Sequence, residues 1–196
     1  MNALFNFIVK PKTTRHNSKK SVEGKELILN TELQNHQYVS RVGVVVAIPK
    51  AIKTYVNVGD EIIVHHNVFR RFYDIRGNEK NSKSYFDDNT FFVAPDQIFA
   101  YKENDEWKPL NGFNFVAPIH NSLKYSNEKE QPLMGVMKYK DAELNQIQKG
   151  DIVGFKPGSE YEFIIDNQKL YRISTNSITI KYDNKRSEKE YNPSWA

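Results

Sequence analysis

The sequence predicts an all-β protein, and three observations carry that expectation. The apolar residues fall in short runs rich in Val, Ile, Phe and Tyr, each bounded by Gly, Pro, Asn or Asp. No long segment shows helical periodicity; "DAELNQIQKG" (141–150) has room for one turn. The chain has 196 residues, 39% hydrophobic and 13% aromatic, enough to bury one large core or two modest ones. Many short strands with frequent turns point to a barrel or a sandwich.

The strands are justified in order by the same chemistry. "LFNFIVKP" (4–11), "RVGVVVAIP" (41–49), "DEIIVHHNVF" (60–69), "NTFFVAPDQIFAY" (89–101) and "GFNFVAPI" (112–119) each combine β-branched or aromatic residues with a turn residue at the end. "MGVMKY" (134–139), "GDIVGF" (150–155), "YEFIID" (161–166), "KLYRIS" (169–174) and "SITIKY" (177–182) follow. "IIDNQKLYRI" reads as a hairpin turning at Asp166–Gln168.

These runs recur in one order. Aligning the halves sets Asn114 on Asn6, Gly135 on Gly43, Gly150 on Gly59 and Ile178 on Ile98, with length lost only across polar stretches, where loops are shortened at little cost. The order argues for one small fold written twice, although each block alone is weak and two unrelated β domains stay open as an alternative. The expected organisation is a first domain over 1–104, a linker over 105–111 in the charged "KENDEWKPLNG", a second domain over 112–183 and a polar tail over 184–196. Trp195 is the one feature that argues for docking of that tail.

Composition also limits function. With no cysteine there are no disulfides and no Cys-based zinc sites, and a cytoplasmic setting is the default. "MNALFNFIVKPK" has no basic region before a long apolar run, so no signal peptide is expected, and no run reaches the ~18 apolar residues of a membrane helix. The net charge of +4 is mild and scattered, so neither a membrane nor nucleic acid is the leading partner.

The first half resembles the chaperonin-10 (GroES-like) co-chaperonins. The resemblance rests on a first strand ending in a basic residue, "LFNFIVKPK", a long loop, the strand "GVVVAI", the Gly-Asp strand "VNVGDEIIV" and the closing "VAPDQIFAY". It covers residues 3–101, with a weaker copy over 113–182. The Gly-Asp strand is moderately specific in this order and weak alone, because Gly-Asp before a strand is common turn chemistry. The chain looks more like the divergent members encoded by tailed phages than the tandem plastid forms. The resemblance implies two tandem, partly open β-barrels, a ring of seven chains, and nucleotide-dependent capping of a chaperonin through a mobile loop that docks an apolar tripeptide. It implies no catalysis by the cap, no cofactor and no metal.

Residues 12–40 fit such a loop. They are polar, too long for an ordinary connection, and hold an isolated Leu27-Ile28-Leu29 triplet after Gly24, which supplies backbone freedom. A small apolar anchor on a segment that orders when it binds gives modest, releasable affinity, and several on one ring multiply by avidity. The plain alternative is that "ELILNTEL" is another strand. Four departures from the family pattern stand beside the match. Glu23-Gly24-Lys25-Glu26 replaces paired glycines, and the roof hairpin shrinks to "PKAIKTYVN" (49–57). The second copy's "HNSLKYSNEKEQPL" (120–133) has no triplet, and the segment over 65–86 exceeds the family's hairpin.

Other constellations are weaker. Gly59-Asp60 and Gly150-Asp151 read as structural turns, Gly for a positive φ and Asp for nearby N–H groups. His65, His66, Asp74 and His36 lack metal-ligand spacing, and adjacent strand residues face opposite ways. Arg70, Arg71, Phe72, Tyr73 and Arg76 suit a subunit interface or a single-strand nucleic-acid platform, with ordinary hairpin strands as the plainer reading. Asp87, Asp88, Asp96 and Glu103 form no recognisable acid pair, and no nucleophile or phosphate-loop motif occurs, so no enzyme is expected. The leading expectation is a co-chaperonin in the host cytoplasm. A virion structural or accessory protein, whose long loop grips a neighbour, and a nucleic-acid-binding barrel are kept as alternatives.

Overall fold

The chain folds almost entirely as antiparallel β-structure. The computed structural model describes residues 3–15, 39–87, 89–122, 129–183 and 189–194, together with the backbone of 19–22 and 25–28. Among them the only helical elements are two single 3-10 turns, Pro95–Gln97 and Thr175–Ser177, and no helix is long and apolar enough to cross a membrane. The chain divides into two compact units, Met1–Glu106 and Trp107–Ala196.

The first unit contains β1 (Phe7–Pro11), β2 (Lys19–Val22), β3 (Lys25–Ile28), β4 (Val42–Ala47), β5 (Glu61–Val64), β6 (Arg71–Tyr73), β7 (Glu79–Asn81), β8 (Tyr85–Asp87), β9 (Thr90–Val93) and β10 (Ile98–Glu103). β11 (Glu106–Pro109) runs across the division. Its sheet has the order β11-β10-β5-β4-β1-β9-β8, while β2-β3 and β6-β7 form separate two-stranded ribbons. The second unit contains β12 (Phe113–His120), β13 (Glu130–Tyr139), β14 (Ile152–Phe155), β15 (Tyr161–Ile165), β16 (Gln168–Ser174) and β17 (Ile178–Tyr182), in one sheet of order β15-β16-β12-β13-β14-β17.

Read from the opposite edge, the second sheet has the strand order of the first: β17, β14, β13, β12, β16 and β15 take the places of β10, β5, β4, β1, β9 and β8. The agreement extends to irregularities. β1 slips register against β4 between Ile8 and Val9, and β12 slips against β13 between Phe115 and Val116. Pro11 lies opposite Gly43 and Pro118 opposite Gly135. After each 3-10 turn, Ile98 pairs with Val64 and Ile178 with Phe155. These bulges correct one alignment: Val116 occupies the place of Val9, so Asn114 falls on Phe7 and not on Asn6. Matching the Asn-Phe dipeptides misled because the second copy has one residue fewer between that Phe and the proline.

Both Gly-Asp pairs form one turn built the same way. Gly59 (φ 95°) and Gly150 (φ 89°) occupy the left-handed region. Gly59 N donates to Val45 O at 2.8 Å, and Gly150 N to Met137 O at 2.8 Å. Val45 N returns a bond to Asp60 O at 3.0 Å, and Met137 N to Asp151 O at 2.9 Å. The carboxylates of Asp60 and Asp151 accept from Asn57 N and Gln148 N at 2.8 and 2.7 Å. Each aspartate thus satisfies an N–H that the turn removes from the ladder.

Five local expectations change. The strand expected over 60–69 ends at Val64, where a turn closed by Val68 N donating to His65 O redirects the chain. Residues 141–150 form no helix; they make hydrogen-bonded turns, with Leu144 N donating to Asp141 O at 3.1 Å, and bury Leu144 and Ile147. The expected linker 105–111 holds β11, whose alternation buries Trp107, and Trp107 Nε1 donates to Asp166 at 2.8 Å. The expected tail is docked where it is described: Tyr191 N donates to Pro118 O, Asn192 accepts from Lys169 N, and Pro193 is buried. Trp195 itself lies outside the described residues. The β15–β16 turn is tighter than expected, with Asp166 and Asn167 alone between paired Ile165 and Gln168, both at positive φ as a type I′ loop requires.

A side chain at Gly43 would overlap the Cγ1 methyl of Val9 and stand 3.1 Å from Lys10 O, whereas one at Gly59 meets open space but keeps the unfavourable φ. Gly43→Ala is expected to cost about 2 kcal/mol by overpacking and Gly59→Ala about 1 kcal/mol by backbone strain. Urea midpoints of the two variants check the difference.

Candidate functional site

The first unit's long segment leaves and re-enters the sheet at adjacent points. Lys12 N donates to Val42 O at 3.0 Å, and Ser40 N donates to Arg15 O at 3.0 Å, so the ends of residues 12–40 are stitched together at the foot of β1 and β4. Within the segment, Lys20 pairs with Leu27 and Lys19 with Ile28 across the β2–β3 ribbon. Gly24 and Leu29 lie outside the described residues, as do His36 and Asp88.

Arg15 connects this stem to the insertion over 65–86. Its Nε donates to Phe69 O at 3.3 Å and its Nη1 to Asn81 Oδ1 at 2.8 Å, while the guanidinium stands 4.8 Å over the Phe91 ring and 5.5 Å over Tyr85. Burial, with Arg71 nearby, holds its pKa below the usual arginine value. Below Arg15 the insertion is core, with Val68 and Phe69 fully buried and the Phe69 ring edge-on to Phe91 at 4.9 Å. Beyond it, β6 and β7 project a ribbon on which Phe72, Tyr73 and Ile75 are exposed.

The structure places Arg71, Phe72 and Tyr73 on β6, Arg70 just before it and Arg76 in the turn after it. Alternation puts Phe72, opposite Lys80, on one ribbon face and Arg71 and Tyr73 on the other. Arg71 pairs with Glu79 at 3.0 Å, and Lys80 lies 3.8 Å from Asp74. Asp74 is committed to the turn, accepting from the N–H groups of Arg76 and Asn78 and holding its pKa below the usual range chiefly through the Asn78 N–H. His65 and His66 follow β5 and stack at 4.3 Å, so the expectation of opposite faces in a strand does not apply to them. Among the described residues no three His, Asp or Glu side chains gather as metal ligands. Gly59-Asp60 and Gly150-Asp151 stand in their turns.

The second unit holds a polar cluster that sequence reasoning missed. Lys169 is nearly buried on β16, with Nζ 2.6 Å from Glu130 and 3.1 Å from Glu162, and Tyr171 O–H donates to Glu130 at 2.7 Å. Burial alone would lower the lysine's pKa, but its bonds to Glu130, Tyr171 and Glu162 hold it above the usual value. Burial pushes Tyr171 up to about 12. Next to Tyr171 on the same strand, Arg172 stands 4.6 Å over Phe113 and 5.4 Å over Tyr161, its pKa lowered by burial. The alternation K-x-Y in β16 is the only sequence signal, and it does not name Glu130 as partner.

No protein-family model matches the chain, and no curated protein matches it. The described geometry defines an all-β protein of two units with one topology, distinguished by the long segment and the ribbon of the first and the polar cluster of the second.

Removing one member of a buried ion pair leaves the others unmatched, so Lys169→Met is expected to cost about 3 kcal/mol. A lysine whose pKa is raised on folding contributes stability that is complete below its unfolded value of 10.5 and is lost only as pH climbs through the folded value. The loss in Lys169→Met is therefore expected to be constant across neutral pH, and urea unfolding at two such pH values checks it.

Proposed function

We propose that this chain is a divergent co-chaperonin of the GroES-like type, built from two partly open barrels, which assembles as a ring and caps a chaperonin in the presence of nucleotide. The observation that carries this reading is the placement of residues 12–40. They join β1 to β4 in one unit only, from a stem stitched by backbone hydrogen bonds, and they hold the Leu27-Ile28-Leu29 triplet. The shared topology and shared Gly-Asp turns support two copies of one barrel. On this reading Gly24, Leu27, Ile28 and Leu29 make the contact, the cap catalyses nothing and needs no cofactor, and the ring, of seven chains on the family pattern, acts in the host cytoplasm.

A second reading, a single-strand nucleic-acid binder, draws on the exposed Phe72 and Tyr73 among Arg70, Arg71 and Arg76. The pairing of Arg71 with Glu79 dilutes the charge that this reading needs.

A pull-down with purified chaperonin separates the two. Capture is expected with ATP or ADP and not without, and Leu27→Asp is expected to weaken it roughly tenfold or more by placing a charge in an apolar contact, with urea unfolding unchanged. Absence of nucleotide-dependent capture across chaperonins of different hosts sinks the proposal. Salt-sensitive oligonucleotide binding that disappears when Arg70 and Arg71 are neutralised would put the second reading in its place.

A further inference from the structure

The two units treat one location differently. In the first, Phe69 packs on Phe91 and reaches Gly43, and Arg15 sets its guanidinium over Phe91. Strand register makes Tyr171 the counterpart of Phe91, Phe155 that of Val64 and Met134 that of Val42. The insertion that delivers Phe69 spans residues 65–84 between β5 and β8; its counterpart between β14 and β15 is only 156–160. Where the first unit is plugged, the second has an open cleft of about 410 Å³, lined by Leu133, Met134, Phe155, Glu160, Tyr171 and Tyr191 among others. The volume lies in the range of small-ligand sites.

The chemistry of the cleft specifies a ligand. Three aromatic rings and apolar side chains form its walls, and aromatic faces attract cations. Around it, Glu130, Glu160 and Glu162 stand against Lys129 and Lys169, leaving an excess of negative charge. Glu130 and Glu162 are matched by Lys169, but Glu160 Oε2 is shielded from solvent and accepts no hydrogen bond. A carboxylate on the cleft wall with no ion-pair partner among the described residues favours a cationic ligand there. Apolar walls suit a cation with a hydrocarbon body better than a bare metal ion.

We propose that this cleft binds an organic cation, an ammonium group on an aliphatic chain, with its charge at Glu160 and its chain against Met134, Phe155 and Tyr171. Each unit sets a cation of its own on the corresponding ring, Arg15 over Phe91 and Lys169 over Tyr171 at 5.0 Å, but only the first adds an apolar body, Phe69, to fill the space. The ammonium comes either from a free polyamine or from a lysine side chain of a partner protein. The inference is independent of the co-chaperonin reading.

The test is an NMR titration of the full-length, ¹⁵N-labelled chain with 1,5-diaminopentane, with a blocked lysine tripeptide, and with 1-pentanol as the neutral control. At least one of the two cations is expected to shift the amides of Leu133, Met134, Phe155 and Tyr171 saturably, and pentanol is not. Tighter binding of the diamine identifies a free amine as the source, and tighter binding of the peptide identifies a protein side chain. Glu160→Gln is expected to weaken binding roughly tenfold through loss of a charge-assisted hydrogen bond, and to raise the Tm of the free chain by removing an unmatched carboxylate. Absence of saturable shifts with both cations, equal binding of pentanol, unchanged affinity in Glu160→Gln, or a lowered Tm in that variant would each overturn the proposal.

Discussion

The rest of each unit depends on how the Gly-Asp turn is tied to the strand before it. The turn's own N–H and C=O bond to one residue of that strand, Val45 in the first unit and Met137 in the second. That exchange fixes which residue of β4 faces which residue of β5, and of β13 to β14. Because side chains alternate across a strand, a slip of one residue would exchange the faces of Ile62 and Ile63, or of Ile152 and Val153, and force both sides of the strand to repack. Gly supplies the φ and Asp the extra acceptor; neither takes part in chemistry.

The sequence was legible wherever local chemistry decides structure. β-branched runs became strands, the Gly-Asp pairs became turns, and the order of blocks matched the strand order of two sheets. It was illegible where structure depends on a distant partner. Trp107 reads as part of a charged linker until Asp166 is placed beside its indole. Residues 189–193 read as a tail until Pro118 and Lys169 receive them. The bulges at Val9 and Val116 displace one repeat alignment by a residue, a shift that no propensity signals. At the candidate sites, the aromatic and basic ribbon was visible as a cluster. The contacts that matter most, Arg15 to Asn81 and Lys169 to Glu130, join residues far apart in the chain.

The two units show how one topology is specialised by its connections. Lengthening the link between β1 and β4 creates a stem from which a segment projects, and lengthening the link between β5 and β8 adds the ribbon and the Phe69 plug. The second unit has shorter links at both places and compensates with buried ion pairing and a strapped C-terminal segment. Sheet and core are conserved between the units while loops diverge, as expected when loops tolerate change that packed strands do not.

The strap has a consequence for biosynthesis. Glu190 bridges Ile119, and Asn192 receives the N–H of Lys169, so the second sheet's surface is finished by residues synthesised after every strand it covers. The first unit's sheet has its last strand in hand once residue 109 has cleared the ribosome. The second waits with its β12 and β16 backbone groups uncovered until residues 189–193 emerge. The interval between those events is when nascent chains of this protein are most open to pairing with one another.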